Sequence, residues 1–188
     1  MQQDNSLSAA AEKMIRQLAE NEKSVAVLYA RYAEIFPEAQ SLWSFLAREE
    51  KGHAELLDNL LKPGNAAEID MPLEGVRLAE AIKIGEFVAE LRKQAKPGSR
   101  LTLARALTNA VGIESNILEA KLLEGETLFA TEWTFQSVST VLFMETQNHL
   151  TLVEKALEEV KRKLALPKPD PAVNDEIKSP APAEQDTL

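Results

Sequence analysis

The chain contains no cysteine, which excludes disulfide bonds and any zinc or iron site built from thiolates. No apolar run is long enough to span a bilayer, and the polar N-terminus lacks the apolar core of a secretory signal. We therefore expect no membrane partner and a cytoplasmic location.

Glycine and aromatic residues are also scarce. The 188 residues include only seven glycines, and aromatic residues make up 5%. Alanine, leucine and glutamate are abundant instead, and this composition favours helices over strands. The net charge is -9, which makes nucleic acid an unfavourable partner.

Helix-terminating residues divide the chain into five long segments. Pro37, the KPG sequences at 62–64 and 96–98, Gly125 and Pro167 mark the ends. The segments between them carry apolar residues three and four positions apart, and they span 8–36, 38–61, 73–95, 99–124 and 131–165. We predict an all-α fold, a bundle of four core helices with an extra helix, 73–95, in the middle crossover.

The same spacing predicts the buried stripe of each core helix. In the first it is formed by Ile15, Leu18, Val25, Tyr29, Tyr32 and Phe36. In the segment 99–124 it is formed by Leu103, Leu107, Val111, Ile117, Leu118 and Leu122. In the last it is formed by Val138, Leu142, Leu152, Ala156 and Val160.

The composition changes after residue 166. Five of the nine prolines lie in 167–188, with few apolar side chains to offset the entropy of ordering this segment. We predict one helical domain over 1–166 and a disordered acidic tail over 167–188.

A faint internal repeat relates the two halves of the chain. Residues 41–57 align with 137–153, which sets His149 opposite His53, the only two histidines. Residues 20–26 resemble 111–118, with Glu22 facing Glu114. Each half thus has a glutamate on its first helix and a histidine on its second.

All four of these residues interrupt apolar stripes. A carboxylate removed from water costs several kcal/mol unless it is paired or bound to a metal. One such residue alone is more simply a snorkelling glutamate or a hydrogen-bonded core histidine. Together they indicate a metal site, and Glu50, three residues before His53, projects to the same side. Glu49, four residues before His53, shares that face too, so periodicity does not choose between them.

The motifs resemble those of the rubrerythrin family of ferritin-like proteins over about residues 8–163. The resemblance rests on "ENEKSVAVLYARYA", "AREEKGHAELL", "AVGIESNILEAKL" and "FMETQNHLTLV". It implies a ferritin-like four-helix bundle that binds two iron ions and acts on peroxide or dioxygen. The ligands it implies are Glu22, Glu50, His53, Glu114 and His149. Manganese and zinc accept the same ligand types.

The sequence departs from the family pattern at Thr146, where a bridging glutamate is expected three residues before His149. Glu145 is adjacent and four residues before His149, so it is a candidate replacement ligand. Without Glu145, three carboxylates leave two Fe(II) ions with one uncompensated charge. A hydroxide or other anion then fills the gap, or only one ion binds well.

Two further alternatives stay open. The chain can bind or store iron without turnover, or it can be a helical bundle that lost its metal site through Thr146. Redox turnover requires an external electron donor, because a thiolate iron module is missing, and a homodimer is a further expectation. Tyr29 is either a hydrogen-bond donor beside the site or a core residue. Trp43, Phe45 and Trp133 are interpreted as packing residues.

Overall fold

The computed structural model describes residues 9–62, 75–119 and 135–165, and every regular element in these ranges is helical. The helices are α1 (Ala9–Ile35), α2 (Gln40–Leu60), α3 (Gly75–Gln94), α4 (Leu103–Glu119) and α5 (Phe135–Ala165). The predicted tail 167–188, Leu122 and Trp133 lie outside the described residues.

The helices α1 and α2 form an antiparallel hairpin. Pro37 lacks the backbone N–H that would continue α1, and a single 3-10 turn over Pro37–Ala39 reverses the chain. The rings of Tyr32 and Trp43 meet near this turn, with centroids 5.0 Å apart. At the other end of the hairpin, Lys23 pairs with Asp58 at 3.1 Å.

The crossover helix α3 runs parallel to α1. Asn21 Nδ2 donates a buried hydrogen bond of 2.8 Å to the backbone oxygen of Ala81, and further along Arg31 donates to the backbone oxygen of Arg92. Gly85 allows this close approach, because a Cβ there would lie 2.6 Å from Asn21 Oδ1.

The helix α4 starts four residues later than the sequence predicts. Thr102 is the reason, because its Oγ1 accepts a hydrogen bond from the backbone N–H of Arg105 and so caps the helix. The segment before it contains the second KPG sequence, where Gly98 has a φ of 77°. Such a left-handed conformation suits glycine, and it forms a turn in which the backbone N–H of Ser99 donates to the backbone oxygen of Lys96.

Contacts across the bundle fix the directions of α4 and α5. Tyr29 meets Glu114 and Tyr32 meets Asn109, so α4 is antiparallel to α1. His149 meets Glu50, and Glu145 meets His53, so α5 is antiparallel to α2. With α1 pointing up, α2 and α4 point down and α3 and α5 point up. The chain therefore crosses from the end of α2 to the start of α4 along the length of the bundle, and α3 makes this crossing.

The apolar core lies between these helices, and most predicted stripe positions line it. All six predicted positions of α1 are buried, as are Leu107, Ile117, Val138 and Leu142. The prediction for Leu152 is wrong, since this side chain is 38% exposed and Val153 is buried instead. Buried positions on α5 follow the spacing of Leu142, His149 and Val153, and Leu152 lies about 100° around the helix from Val153.

Within the described ranges, no helix combines the length and the apolarity that crossing a membrane requires.

Candidate metal centre

Glu50 lies at the centre of a buried cluster between α2 and α5. Its Oε2 is 2.9 Å from Nδ1 of His53, and its Oε1 is 2.8 Å from Nδ1 of His149. All three residues are only 2% exposed. The two imidazole rings stack with centroids 5.3 Å apart. One carboxylate thus contacts the same nitrogen atom of two histidines that are 96 residues apart in the sequence.

Two further glutamates lie near Glu50, one on α1 and one on α4. Glu22 on α1 and Glu114 on α4 are 4% and 1% exposed, and both interact electrostatically with Glu50. Glu114 Oε1 accepts a 2.7 Å hydrogen bond from the Tyr29 hydroxyl. Glu22 Oε2 is buried without a hydrogen-bond partner. An unpartnered buried oxygen of this kind is costly unless a further group binds it.

Crowding of three carboxylates changes their acidity. Burial and the nearby Glu50 raise the pKa of Glu22 and of Glu114 well above the usual 4.5. Burial opposes ionisation of Glu50 as well, but its hydrogen bonds with His149 and His53 outweigh burial and lower its pKa to about 2. Glu22 and Glu114 are therefore held as neutral acids over a pH range in which exposed glutamates are ionised.

Both ring nitrogens of His53 are in contact with carboxylates. Its Nδ1 faces Glu50, and its Nε2 is 2.6 Å from Glu145 Oε2. Burial disfavours the imidazolium form, but the contacts with Glu50 and Glu145 outweigh it and raise the pKa of His53. The Glu145 side chain is 39% exposed, so it joins this buried histidine to the surface.

The structure places the remaining sequence candidates as follows. Glu50, rather than Glu49, enters the cluster, while Glu49 points outward and pairs with Arg48. Thr146 is buried, but its hydroxyl donates to the backbone oxygen of Leu142 on its own helix. Glu145 contacts His53 and not His149, the histidine with which it was expected to share a face.

Aromatic packing fixes the position of Tyr29. Its ring lies 5.5 Å from Trp43 and 6.3 Å from Tyr32, and all three side chains are fully buried. Both interpretations of Tyr29 therefore apply, since it is a core residue that also donates to Glu114. Trp43 packs as expected, whereas Phe45 is 36% exposed and its ring lies nearly perpendicular to the His149 ring, with centroids 6.3 Å apart.

Asn21 lies beside the cluster but is not indicated by the spacing of residues in the sequence. It is 4% exposed and precedes Glu22, and its bond to Ala81 fixes α3 against α1 at this point. Two features of the sequence are consistent with this contact. Asn21 is a polar residue next to Glu22 in an apolar stripe, and the crossover helix contains a glycine, Gly85, which the structure places against Asn21.

The residues present fit a cation. The described part of the chain contains one group of buried ligand atoms that can bind a metal, and it is formed by Glu50, His53 and His149. These ligand atoms lie within 4.8 Å of one another. A divalent ion would compensate the carboxylates, and it would give the unpartnered oxygen of Glu22 a positive neighbour. Imidazole and carboxylate ligands without thiolate suit iron, manganese or zinc.

Comparisons with protein-family models, with curated proteins and with solved structures find no match for the chain.

Proposed function

We propose that the protein is a rubrerythrin-like, ferritin-like protein that binds two iron ions and acts on peroxide or dioxygen. The observation that carries the proposal is the arrangement around Glu50. Each of its oxygens contacts one histidine Nδ1, and two further buried carboxylates lie beside it. Di-iron carboxylate bundles project four glutamates and two histidines from their four core helices. This chain supplies both histidines and three of the glutamates, with Thr146 at the fourth position.

The path of the chain supports the ferritin-like part of the proposal. Helix hairpins α1–α2 and α4–α5 are joined by one long connection that runs the length of the bundle. Four-helix bundles with a single long crossover include the ferritin-like folds. In this chain the helix α3 forms the crossover and packs beside Glu22 through Asn21.

Each residue of the cluster has a distinct task in this proposal. His53, His149 and Glu50 would hold the iron, through the two Nδ1 atoms and the carboxylate that contacts both of them. Glu22 and Glu114 would add two carboxylates to that of Glu50, so that three of the four positive charges of a pair of Fe(II) ions are compensated. Tyr29 orients Glu114. Iron, when bound, supplies the redox capacity for reducing an O–O bond, and an external donor protein or cofactor would return the electrons.

An anaerobic titration of the purified protein with Fe(II) tests the proposal. We expect close to two equivalents per chain, with a lower affinity in Glu50→Gln, since Gln cannot supply the same charge to two ions. The adjacent residue Glu49, which is partly exposed and pairs with Arg48, gives the control variant Glu49→Gln, which is expected to bind as the wild type does. Absence of iron binding by the wild type would refute the proposal.

Thr146 favours a second candidate, a bundle that has lost its site. Its hydroxyl bonds to its own helix and supplies no ligand. The variant Thr146→Glu separates the two cases, because a lost site regains iron binding while an intact atypical site gains little. Iron storage without turnover differs again, since it predicts binding without consumption of peroxide in the presence of a reductant.

A further inference from the structure

Glu145 has a position unlike that of the other carboxylates in the centre. Glu50 contacts the two Nδ1 atoms, and Glu22 and Glu114 are buried beside Glu50. Glu145, in contrast, is partly exposed and meets His53 at the opposite nitrogen. The contact of Glu145 Oε2 with His53 Nε2 is 2.6 Å, which is short even for a charge-assisted hydrogen bond. Glu145 therefore lies behind His53, as seen from Glu50.

The helix directions explain this placement. Because α5 is antiparallel to α2, a residue one turn before His149 on α5 lies level with a residue one turn after Glu50 on α2. Glu145 and His53 are that pair. The replacement of glutamate by threonine at 146, with glutamate at 145, thus moves a carboxylate from the interior of the centre to the outer side of one histidine.

The geometry points to Glu145 as a positioning residue for His53, and not as a metal ligand. This inference rests on the proposed metal-binding function. In the metal-free protein, His53 Nδ1 is the hydrogen-bond partner of Glu50. When an ion is bound, the Glu145 carboxylate accepts a hydrogen bond from Nε2–H, which holds the imidazole in the tautomer that leaves the Nδ1 lone pair free for the ion. It also fixes the ring plane. Such outer partners of ligating histidines commonly change metal affinity by about 10–100-fold when they are removed.

The two histidines differ in this respect, which provides an internal reference. Among the hydrogen bonds of the described residues, His149 has a contact at Nδ1 with Glu50, and no carboxylate faces its Nε2. A change at position 145 is therefore expected to affect His53 alone, whereas a general loosening of the bundle would affect both histidines.

Zinc affinity, measured by competition with a chromophoric chelator, tests the inference in full-length protein. Glu145→Leu removes the acceptor, and we expect a loss of about 10–100-fold. Glu145→Gln keeps an acceptor oxygen, and we expect it to retain most of the affinity. Glu49→Leu and Glu49→Gln are matched controls, since Glu49 is an outward glutamate of α2 that pairs with Arg48.

The histidine signals in nitrogen-15 NMR spectra provide a readout that does not depend on affinity. In the zinc-loaded wild type, we expect His53 to hold its proton on Nε2 and to bind through Nδ1. In Glu145→Leu at saturating zinc, we expect the His53 signals to move and to lose the protected Nε2–H, while those of His149 stay. Circular dichroism of each variant checks that the helices are intact.

The outcomes separate the inference from the function on which it rests. Zinc affinity of Glu145→Leu within twofold of wild type, or Glu145→Gln as weak as Glu145→Leu, overturns the positioning role. So do equal shifts of both histidines. If neither zinc, cobalt nor iron binds the wild type, the proposed function itself fails, and the positioning role fails with it.

Discussion

Replacing Glu22 with glutamine tests whether the carboxylates are placed for a cation. Gln has nearly the same shape as Glu but no charge, so the packing around α1 is retained. In the metal-free protein, burial and Glu50 raise the pKa of Glu22 above its usual 4.5. The folded state therefore holds a proton that the unfolded chain releases.

The expected magnitude follows from proton linkage. A carboxyl group with a raised folded-state pKa stabilises the fold below its unfolded pKa, and this stability is lost as pH rises through the folded pKa. Across that window each such proton makes the free energy of unfolding fall by about 1.4 kcal/mol per pH unit. Glu114 acts in the same direction. Glu50 acts in the opposite direction, since its pKa of about 2 makes its stabilisation disappear only as pH falls below 4.5.

Urea denaturation at pH 5, 6, 7 and 8 in the presence of a chelator measures the effect. We expect the wild type to lose stability as pH rises, and Glu22→Gln to reduce that slope by up to about 1.4 kcal/mol per pH unit. His53 contributes equally to both proteins, so it drops out of the difference. Glu34→Gln, at an exposed position of the same helix, is the control and should leave the slope unchanged.

Equal slopes for the wild type and Glu22→Gln would refute this reasoning. Such a result would mean that Glu22 titrates alike in the folded and unfolded chains, and the argument for a cation beside it would lose its basis. Iron should raise the free energy of unfolding, whereas high pH lowers it. A bound cation replaces the protons and stabilises the ionised carboxylates.

Three further substitutions have expected outcomes by urea denaturation. Tyr29→Phe removes the buried donor to Glu114, and we expect a loss of about 1–3 kcal/mol in the free energy of unfolding. An unchanged free energy of unfolding would contradict this contact. Gly85→Ala forces a Cβ against Asn21 Oδ1, and we expect a loss of about 1–3 kcal/mol, which a well-accommodated alanine would contradict. Gly52→Ala is the matched glycine on α2 with nothing within 4 Å, and we expect a gain of about 1 kcal/mol from helix propensity, so a loss there would contradict the open space.

The helices follow from local signals in the sequence, and their ends follow less closely. Pro37 stops α1 because a missing N–H acts within one turn, so the pattern alone places this end. The start of α4 depends on the Thr102 cap, which spacing of apolar residues does not reveal. The position of Leu152 is also not determined by the spacing of apolar residues. Leu152 and Val153 are adjacent on α5, so only one of them can point into the core, and that residue is Val153.

Assembly of the centre depends on the relative position of helices, which no single helix encodes. Glu49 and Glu50 both share a face with His53, and only packing of α2 against α5 turns Glu50 inward. Spacing likewise predicts that Glu145 shares a face of α5 with His149. It does not predict which residue of α2 Glu145 meets, and the antiparallel packing of the two helices makes that residue His53. Periodicity thus identifies which residues are out of place in an apolar stripe, and the packing decides which of them meet.

One residue then connects the two halves of the repeat. The first half contributes both a glutamate and a histidine from α2, while the second contributes a histidine and, at the corresponding glutamate position, Thr146. Glu50 compensates by contacting both histidines, and Glu145 supplies its charge from behind His53. The centre is therefore asymmetric although the helices repeat. The carboxylates of Glu50 and Glu145 both contact His53, whereas Glu50 alone contacts His149 among the hydrogen bonds of the described residues, so the two histidines are held unequally.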